Sequence, residues 1–411
     1  MSSLRLFAVT WLLALAGMMP GAALAQSFSA LARILPEQSS LRDAGEGVAV
    51  QLTLSQGVPY RVFTLDEPRR VVLDFQEVDW TGFSAEGFLH SAQVQDIRFG
   101  GYVPGWSRLV LELAAPMQVT AVALDIDPVT ANATLDLQLT PADADDFAAM
   151  AGAPFDPRLD LPPATEIEAK PVKDPEAPMV VMLDPGHGGL DPGAEAEGGA
   201  AEKDLMLEFA YDLGERLVRS GAFEVLLTRE GDYFVSLERR IAMAHQQGAD
   251  VFISLHADAV TEGMAHGTVV YTLSKSASDV ASAKLAERHD RGDLLSGSDL
   301  SSADDVVTDV LLDLARQETH PRSQAMAQSV IEALMEQGSK VNRRPLRSAG
   351  FSVLKSADIP SILIELGFMS SPEDLKKLND PAWRTNASQA ILRGLLKWRE
   401  ADAARRALVR Q

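Results

Sequence analysis

A proline-rich, acidic segment divides this chain into two halves with different hydrophobic patterns. The segment covers residues 141–177, where prolines are scattered among Ala, Asp and Glu. Such a composition buries little apolar surface and favours an extended chain. A chain of 411 residues is long enough for two domains. We therefore predict a linker over 141–177 that joins two folded units and lets them move separately.

The half before this linker, residues 27–140, has the pattern of an all-β domain. Short runs in which apolar and polar residues alternate are separated by turns rich in Gly, Pro and Asp. Alternation is typical of strands with one buried face, and several short runs favour an antiparallel sandwich. The runs lie at 48–54, 70–75, 107–113 and 133–139. His90 is the only histidine of this half, and we expect no catalytic role for it.

The half after the linker, residues 178–400, predicts an α/β domain. Strands are expected at 179–183, 224–228, 250–255, 267–272, 351–354 and 361–366. Helical spacing is found at 202–220, 236–247 and 389–401. This alternation predicts a central, mostly parallel sheet flanked by helices. We interpret residues 278–340 as a helical regulatory insertion, with helices at 278–290, 304–317 and 322–338.

The first 25 residues predict a cleavable signal peptide. Arg5 precedes an apolar run at 6–16, and an Ala-Leu-Ala cleavage site at 23–25 follows. The apolar run is too short for a stable membrane span, so we expect a protein exported to the periplasm. A net charge of −21 disfavours nucleic acid as a partner. The absence of Cys excludes disulfides and thiolate ligands.

Two histidines and one glutamate form the candidate metal site. His187 lies in a glycine-rich turn after the 179–183 strand, and His256 ends the 250–255 strand. Glu202 begins the following helix. Two imidazoles and one carboxylate are a ligand set of catalytic zinc, with one position left open. Because the carboxyl ends of parallel strands meet at one sheet edge, we expect these residues to converge there and hold one zinc ion.

Glu365 is the candidate catalytic residue. It is an acid within the apolar strand 361–366, where burial would raise its pKa toward the range of a general base. Each of these residues alone has an ordinary structural explanation, since a single His is more often a core or turn residue than a ligand. The combination is far more specific than any member. The other histidines of this half, His245, His266, His289 and His320, are expected to face solvent.

The motifs around these residues resemble the zinc N-acetylmuramoyl-L-alanine amidases of the Amidase_3 type. They are Asp-Pro-Gly-His-Gly-Gly at 184–189, Glu-Lys-Asp at 202–204, Ser-Leu-His-Ala-Asp at 254–258 and Ile-Glu-Leu-Gly-Phe at 364–368. The resemblance implies that His187, Glu202 and His256 bind zinc and that Glu365 is catalytic. It also implies hydrolysis of the amide between N-acetylmuramic acid and L-alanine in peptidoglycan, for wall remodelling and daughter-cell separation.

Two further segments resemble accessory parts of such amidases. Residues 59–63 and 68–75 are similar to the AMIN domain, a β module that targets amidases to the envelope. Residues 286–295 and 310–314 resemble an autoinhibitory region that a LytM-domain activator displaces. On this resemblance we expect Glu287, or as a second choice Asp290, to occupy the open zinc position. The ligand pattern leaves two alternatives open, a zinc peptidase acting on stem peptides and a non-catalytic wall-binding regulator.

Overall fold

The computed structural model describes residues 31–154, 177–196, 198–259, 265–296, 306–356 and 358–409. The predicted signal peptide and most of the predicted linker, residues 155–176, lie outside these ranges. Among the residues that the structure describes, no helix combines the length and apolar character needed to cross a bilayer.

The N-terminal half is a β sandwich, as predicted. Its strands are β1 (Ala32–Arg33), β2 (Ser40–Ala44), β3 (Gly47–Leu54), β4 (Tyr60–Leu65), β5 (Arg70–Gln76), β6 (Val78–Asp79), β7 (Leu89–His90), β8 (Val94–Val103), β9 (Trp106–Leu113), β10 (Met117–Ile126) and β11 (Ala133–Pro141). A short helix, α1 (Ala85–Phe88), precedes β7, and a 3-10 turn covers Pro36–Gln38. One sheet has the order β10-β11-β3-β2-β7 and the other β4-β5-β9-β8, while β1 pairs with β6.

The two large sheets bury alternate residues of their strands against each other. Leu52 and Leu137 from one sheet share a core with Leu73 and Leu111 from the other. The four strands predicted from alternation match β3, β5, β9 and β11. Strand β5 is buried on both faces over residues 70–75, which means that the outer face of its sheet is also covered.

The predicted linker begins too early. Helix α2 (Ala144–Met150) lies inside it, with Asp143 as N-cap accepting a hydrogen bond from the Asp145 amide. Phe147 of this helix is 1% exposed and belongs to the core of the sandwich. Residues 141–154 are therefore part of the β domain. The proline-rich composition of 141–177 does not indicate this short helix, which one buried aromatic ring holds in place.

The C-terminal half is an α/β domain, also as predicted. Its strands are β12 (Met179–Pro185), β13 (Phe223–Leu227), β14 (Val251–His256), β15 (Thr268–Leu273), β16 (Val341–Ala349) and β17 (Ser361–Glu365). Its helices are α3 (Glu202–Arg219), α4 (Leu237–Gln246), α5 (Val280–Leu295), α6 (Val306–Glu336), α7 (Pro372–Leu378) and α8 (Pro381–Val409). The sheet order is β13-β12-β14-β17-β15-β16, and all pairs are parallel except β15 with β17.

Helices cover both faces of this sheet, which explains the continuous apolar runs of its strands. Val181 and Leu183 of β12 pack with α3, α6 and α8 on one face. Val180 and Met182 pack on the other face, in a cluster that includes residues of α4 and α5. Helix α3 places Leu205, Phe209, Leu213 and Leu217 in the core at the spacing expected for one helical face.

The region between β15 and β17 differs from its prediction. Residues 351–354 were predicted as a strand, but Ser352–Leu354 form a 3-10 helix and the strand is β16. The helices predicted at 304–317 and 322–338 are one helix, α6, which continues through Pro321. Its second half supplies Met326, Val330 and Leu334 to the core, so this part of 278–340 is not an insertion.

The two halves contact each other directly. The Phe234 amide donates a hydrogen bond to the Gly101 carbonyl at 3.0 Å. Val72 and Val110, on the outer face of the sheet β4-β5-β9-β8, share a small apolar cluster with Leu190 and Phe234 of the α/β domain. These contacts cover the outer face of β5. They disagree with the prediction that the linker lets the two halves move separately.

Candidate metal centre

The carboxyl ends of three neighbouring strands place the candidate site at one edge of the sheet. His187 follows β12, His256 ends β14 and Glu365 ends β17. His256 and Glu365 lie opposite each other in the parallel register of β14 and β17. Glu202 is the first residue of α3 and is 0% exposed. The structure therefore brings together the four residues that the sequence singled out.

Two buried arginines fix the turn that carries His187. Arg229 donates to the carbonyls of Pro185 and Gly186, each at 2.9 Å. Arg240 donates to the carbonyls of Pro185 at 2.9 Å and His187 at 2.8 Å. His187 itself has a φ of 61°, an uncommon left-handed conformation for a non-glycine residue. The turn is held in this conformation by its hydrogen bonds.

Asp184 also holds the turn that carries His187, through hydrogen bonds to neighbouring elements. One carboxylate oxygen accepts from Arg240 at 2.6 Å and from the Thr228 hydroxyl at 2.7 Å, and the other accepts from the Ser254 hydroxyl at 2.6 Å. Burial alone would raise the pKa of Asp184, but Arg240 and the two hydroxyls hold it below its ordinary value. This buried carboxylate ties together β12, β14 and α4 beneath the site.

Glu202 lies between the two histidines. Its Oε2 is 3.3 Å from His187 Nε2, and its Oε1 is 3.1 Å from His256 Nδ1. The amides of Ala194 and Ala257 donate to the same two oxygens at 2.9 and 2.8 Å. These bonds fix the carboxylate between the two rings.

Gly186 and Gly193 leave the room that this arrangement needs. A Cβ at Gly186 would lie 2.2 Å from His256 Cε1, and one at Gly193 would lie 2.6 Å from His187 Cδ2. Both distances are far below van der Waals contact, so larger residues would displace the rings.

Asp191 orients the ring of His187. Its carboxylate is 2.8 Å from His187 Nδ1. In the tautomer with Nδ1 protonated, Nε2 carries the lone pair and faces Glu202. Asp191 was not predicted from the sequence, although it lies four residues after His187 in the same glycine-rich motif.

The charges of the cluster shift the pKa values of its members. Burial by itself would lower the pKa of His187, but the carboxylates of Asp191 and Glu202 raise it well above its ordinary value. Burial would raise the pKa of Glu202, yet His187 and His256 hold it well below the usual range. Burial and the neighbouring His289 lower the pKa of His256 to about 4. A neutral His256 ring and an ionised Glu202 are the forms that bind a cation.

Glu365 is a buried acid with one free oxygen. It is 0% exposed, and its Oε2 accepts a hydrogen bond from the Asp258 amide at 3.1 Å. Its Oε1 has no hydrogen-bond partner among the described residues. Burial, reinforced by the charges of Glu202 and Asp258, raises the pKa of Glu365 well above its ordinary value. The desolvation predicted from its apolar strand is therefore present.

A third histidine joins the site from helix α5. His289 was expected to face solvent, but it is 7% exposed. Its ring stacks on His256 with the centroids 4.3 Å apart, and it lies 5.8 Å from the ring of His187. One nitrogen from each of the three imidazoles lies within 4.8 Å of the others. No periodic signal in the sequence indicates this placement, because only the packing of α5 determines which of its faces meets the site.

Glu287 and Asp290 are not at this position. Glu287 is exposed and lines a different cavity, which it shares with Pro68 and Lys275. Asp290 accepts a hydrogen bond from the Ser352 amide at 3.4 Å. Residues two apart in a helix point to nearly opposite sides, so the helix that presents His289 to the site turns Glu287 away from it. The expectation for Glu287 is corrected accordingly.

The donor set fits a zinc ion. His187 Nε2 is buried without a hydrogen-bond partner in the described part of the chain, as is Glu365 Oε1. Buried polar atoms are rarely left unpaired unless a ligand completes them. Imidazole nitrogens and a carboxylate are zinc ligands, whereas calcium and magnesium prefer oxygen.

A cavity of about 870 Å³ opens beside these residues. His187, Asp191 and His289 line one side of it, and Arg98 and Phe99 of strand β8 line another. The β domain therefore forms part of the wall of the cavity next to the candidate metal residues.

The fold and site define an α/β protein with a buried group of histidines and carboxylates at the carboxyl edge of its sheet. Residues 181–397 match the family model of N-acetylmuramoyl-L-alanine amidase, and residues 40–139 match that of the AMIN domain. The chain belongs to the N-acetylmuramoyl-L-alanine amidase family, with an N-terminal AMIN domain. Both resemblances predicted from the motifs are thereby confirmed.

Named relatives cover most of the chain. It is 32% identical over 365 residues to N-acetylmuramoyl-L-alanine amidase AmiC of Escherichia coli O6:H1, covering 84% of this chain and 85% of that one. It is 32% identical over 387 residues to AmiC of Neisseria meningitidis serogroup B, covering 91% of each. Among solved structures, amidase AmiC2 of Nostoc punctiforme is 27% identical, with a TM-score of 0.39, over 54% of this chain and 96% of that chain.

Proposed function

We propose that this protein is a zinc-dependent amidase of the periplasm. It cleaves the amide between the lactyl group of N-acetylmuramic acid and L-alanine in peptidoglycan, which serves wall remodelling and the separation of daughter cells. The observation that carries the proposal is the convergence of His187, Glu202 and His256 next to the buried acid Glu365. Membership of the amidase family supports the choice of bond.

His187, Glu202 and His256 would hold the ion. A bound zinc ion supplies Lewis acidity, which polarises the scissile carbonyl and acidifies a water molecule. Asp191 would keep His187 in the tautomer with Nδ1 protonated, whose Nε2 lone pair is available to bind a metal. The hydrogen bonds from Ala194 and Ala257 keep the Glu202 carboxylate from turning away.

Glu365 would be the general base and then the general acid. Its Oε2 is engaged by the Asp258 amide, which leaves Oε1 to accept a proton from the attacking water. The new bond joins the water oxygen to the lactyl carbonyl carbon, and the bond to the L-alanine nitrogen breaks. Glu365 passes the proton to that nitrogen, so the products are a free carboxylate and an amine. A pKa raised by burial places this acid nearer the pH at which it works.

The resting protein would be inhibited by helix α5. His289 stacks on His256 and is within reach of the point that His187 and His256 share. A third imidazole at that point would be a fourth ligand and would take the coordination position that water and substrate need. A LytM-domain activator, as the family resemblance implies, would displace α5 and free the position.

Product analysis tests the proposed reaction. Purified peptidoglycan is incubated with the protein from residue 26 onward, with and without zinc, and the soluble products are weighed by mass spectrometry. We expect zinc-dependent release of intact stem peptides that begin with L-alanine, and no release by Glu365→Ala. Cuts within the stem would assign a zinc peptidase instead.

The same assay with His289→Ala decides the case of an inactive wild type. Release of stem peptides by this variant would identify an inhibited amidase. No release by either protein, when both are folded and contain zinc, would contradict the proposal and favour a non-catalytic wall-binding regulator.

A further inference from the structure

The loop that carries His187 is packed against strand β8 of the AMIN domain through glycines. A Cβ at Gly189 would lie 1.8 Å from the Gly101 carbonyl oxygen, and one at Gly100 would lie 2.9 Å from the Gly189 carbonyl carbon. Only glycines allow two backbones to approach so closely. Gly189 lies two residues after His187, so the β domain touches the metal-binding turn itself.

The side chains around this backbone contact form a small second core. Tyr102 stacks on Phe234 with the ring centroids 6.0 Å apart and the planes at 16°. Leu190, the residue after Gly189, is 2% exposed and packs with Val110 of strand β9. Burial of several apolar groups gives this contact the character of a domain interior.

Arg98 extends the contact to the histidine. It lies opposite Val110 in the register of β8 and β9, so the two side chains leave the sheet on the same side. Its guanidinium is 3.8 Å from Asp191 Oδ1, while the other oxygen of Asp191 is 2.8 Å from His187 Nδ1. Arg98, Asp191 and His187 thus form a chain of contacts from the β domain to the metal-binding turn.

We propose that the AMIN domain is a structural part of the metal centre, with Arg98 as a positioning residue that holds Asp191 against His187. The inference rests on the proposed zinc site and deepens it. Partners of metal-bound histidines contribute to metal affinity by fixing ring orientation and tautomer. Zinc affinity should therefore depend on a residue of a domain that contributes none of the ligands.

Zinc affinity of full-length variants tests this role. Dissociation constants are measured by competition with a chelator of known affinity, for wild type, Arg98→Ala, Arg98→Lys and Asp191→Asn. Asp191→Asn should weaken binding by about tenfold to a hundredfold. We expect Arg98→Ala to weaken it by about threefold to tenfold, since Arg98 acts one step further away, and Arg98→Lys to recover most of that loss. Arg42→Ala, on the exposed strand β2, is the matched control and should bind zinc as the wild type does.

The direction of the change in zinc affinity distinguishes a positioning role of Arg98 from a purely electrostatic one. Removal of a positive charge would by itself strengthen the binding of a cation, whereas loss of positioning weakens it. Tighter binding by Arg98→Ala, or binding within twofold of the Arg42→Ala control, would overturn the inference.

A double mutant tests whether Arg98 affects zinc binding through Asp191. If Arg98 acts through Asp191, then Arg98→Ala should cause no further loss in the Asp191→Asn background. An undiminished further loss would show a different route and would overturn the assignment. These measurements do not use activity, so a protein that binds zinc but releases no stem peptides, even as His289→Ala, would contradict the proposed amidase reaction and still leave this inference fully testable.

Discussion

At the scale of single residues, the site depends on acids that are buried at a cost. Glu365 is enclosed by apolar strand residues and by two other carboxylates. The side chain is stable in its ionised form only if a cation is near. Function and stability therefore oppose each other at this position, as is common for catalytic groups.

Replacement of Glu365 by Gln should stabilise the zinc-free protein at neutral pH. The folded state raises the pKa of Glu365, so it favours the protonated form, and the associated stability is lost as pH rises through the folded pKa. Gln mimics the protonated acid and carries no such cost. Because one pKa unit corresponds to about 1.4 kcal/mol, we expect the free energy of unfolding at pH 7 to rise by at least about 1 kcal/mol.

Chemical denaturation of the zinc-free proteins at pH 7 and pH 4 measures this effect. The advantage of Glu365→Gln should shrink at pH 4, where the wild-type acid is protonated. Glu224→Gln is the control on an exposed acid. A variant that is less stable than wild type at both pH values would show that the acid is stabilising and would refute this account of it.

Asp184, in contrast to Glu365, is expected to stabilise the folded protein in its ionised form. It is paired with the buried Arg240 and bonded to two hydroxyls. Asp184→Asn leaves the Arg240 charge without its counter-ion, which typically costs about 3–5 kcal/mol. Urea unfolding should show a loss of that order. A loss under 1 kcal/mol would mean that this ion pair does not anchor the turn that carries His187.

The positions of the site residues could be predicted from the sequence most directly where a residue ends a strand. His187, His256 and Glu365 converge because parallel strands end at one edge, and this rule needs no knowledge of packing. Asp191 and His289 were missed for different reasons. Asp191 acts through a turn whose conformation depends on Arg229 and Arg240, and His289 reaches the site through the docking of a helix.

At the scale of elements, helix α5 is the part of the fold that places His289 at the candidate metal site. Its Leu285 and Ala286 are buried in the cluster on one face of the sheet, and this packing sets the rotation that points His289 inward. The sequence predicted the helix and its position in the chain, but assigned the inhibitory contact to Glu287. Amphipathic pattern alone did not resolve which face meets the site, because α5 also carries buried polar residues such as Asp293.

Single substitutions on α5 distinguish the two residues. His289→Ala should raise the basal rate of stem-peptide release by about tenfold or more, because the imidazole no longer competes for the open position. Glu287→Ala should leave the rate unchanged, since this side chain is exposed. Both rates are measured on the same peptidoglycan without activator. A rise with Glu287→Ala and none with His289→Ala would restore the original sequence-based expectation.

Two elements were misplaced from the sequence, for different reasons. Strand β16 has a largely polar, basic sequence and lies at the edge of the sheet, so it lacks the apolar run that marked the other strands. Proline usually interrupts a helix, but α6 continues through Pro321, which lies between the two helices predicted for this region. In both cases the contacts with neighbouring elements outweigh the local sequence preference.

At the scale of the whole molecule, the candidate site lies where two domains meet, although the sequence predicted that these domains move separately. The order of a β half followed by an α/β half was predicted, and the two family models match the chain in the same order. The contact between the halves was not predicted, because it depends on glycine backbones and on residues such as Leu190 that look like ordinary loop positions. A surface made by two distant segments leaves no periodic signal in either of them.

Zinc should stabilise the whole fold by binding only the folded state. At a free zinc concentration of a hundred times the dissociation constant, the gain is about 2.7 kcal/mol. Thermal unfolding should therefore shift upward by a few degrees on zinc addition and return after a chelator is added. His187→Ala should show no such shift. An equal shift in this variant would place the bound ion elsewhere.

The most direct test of the account is zinc X-ray absorption of the resting protein. Wild type should show three imidazole ligands and one carboxylate at about 2.0–2.1 Å, from His187, His256, His289 and Glu202. The His289→Ala variant should lose one imidazole and gain an oxygen from water. An absorption spectrum with only one imidazole, or one that His289→Ala leaves unchanged, would contradict the assignment of the metal centre and its inhibition by α5.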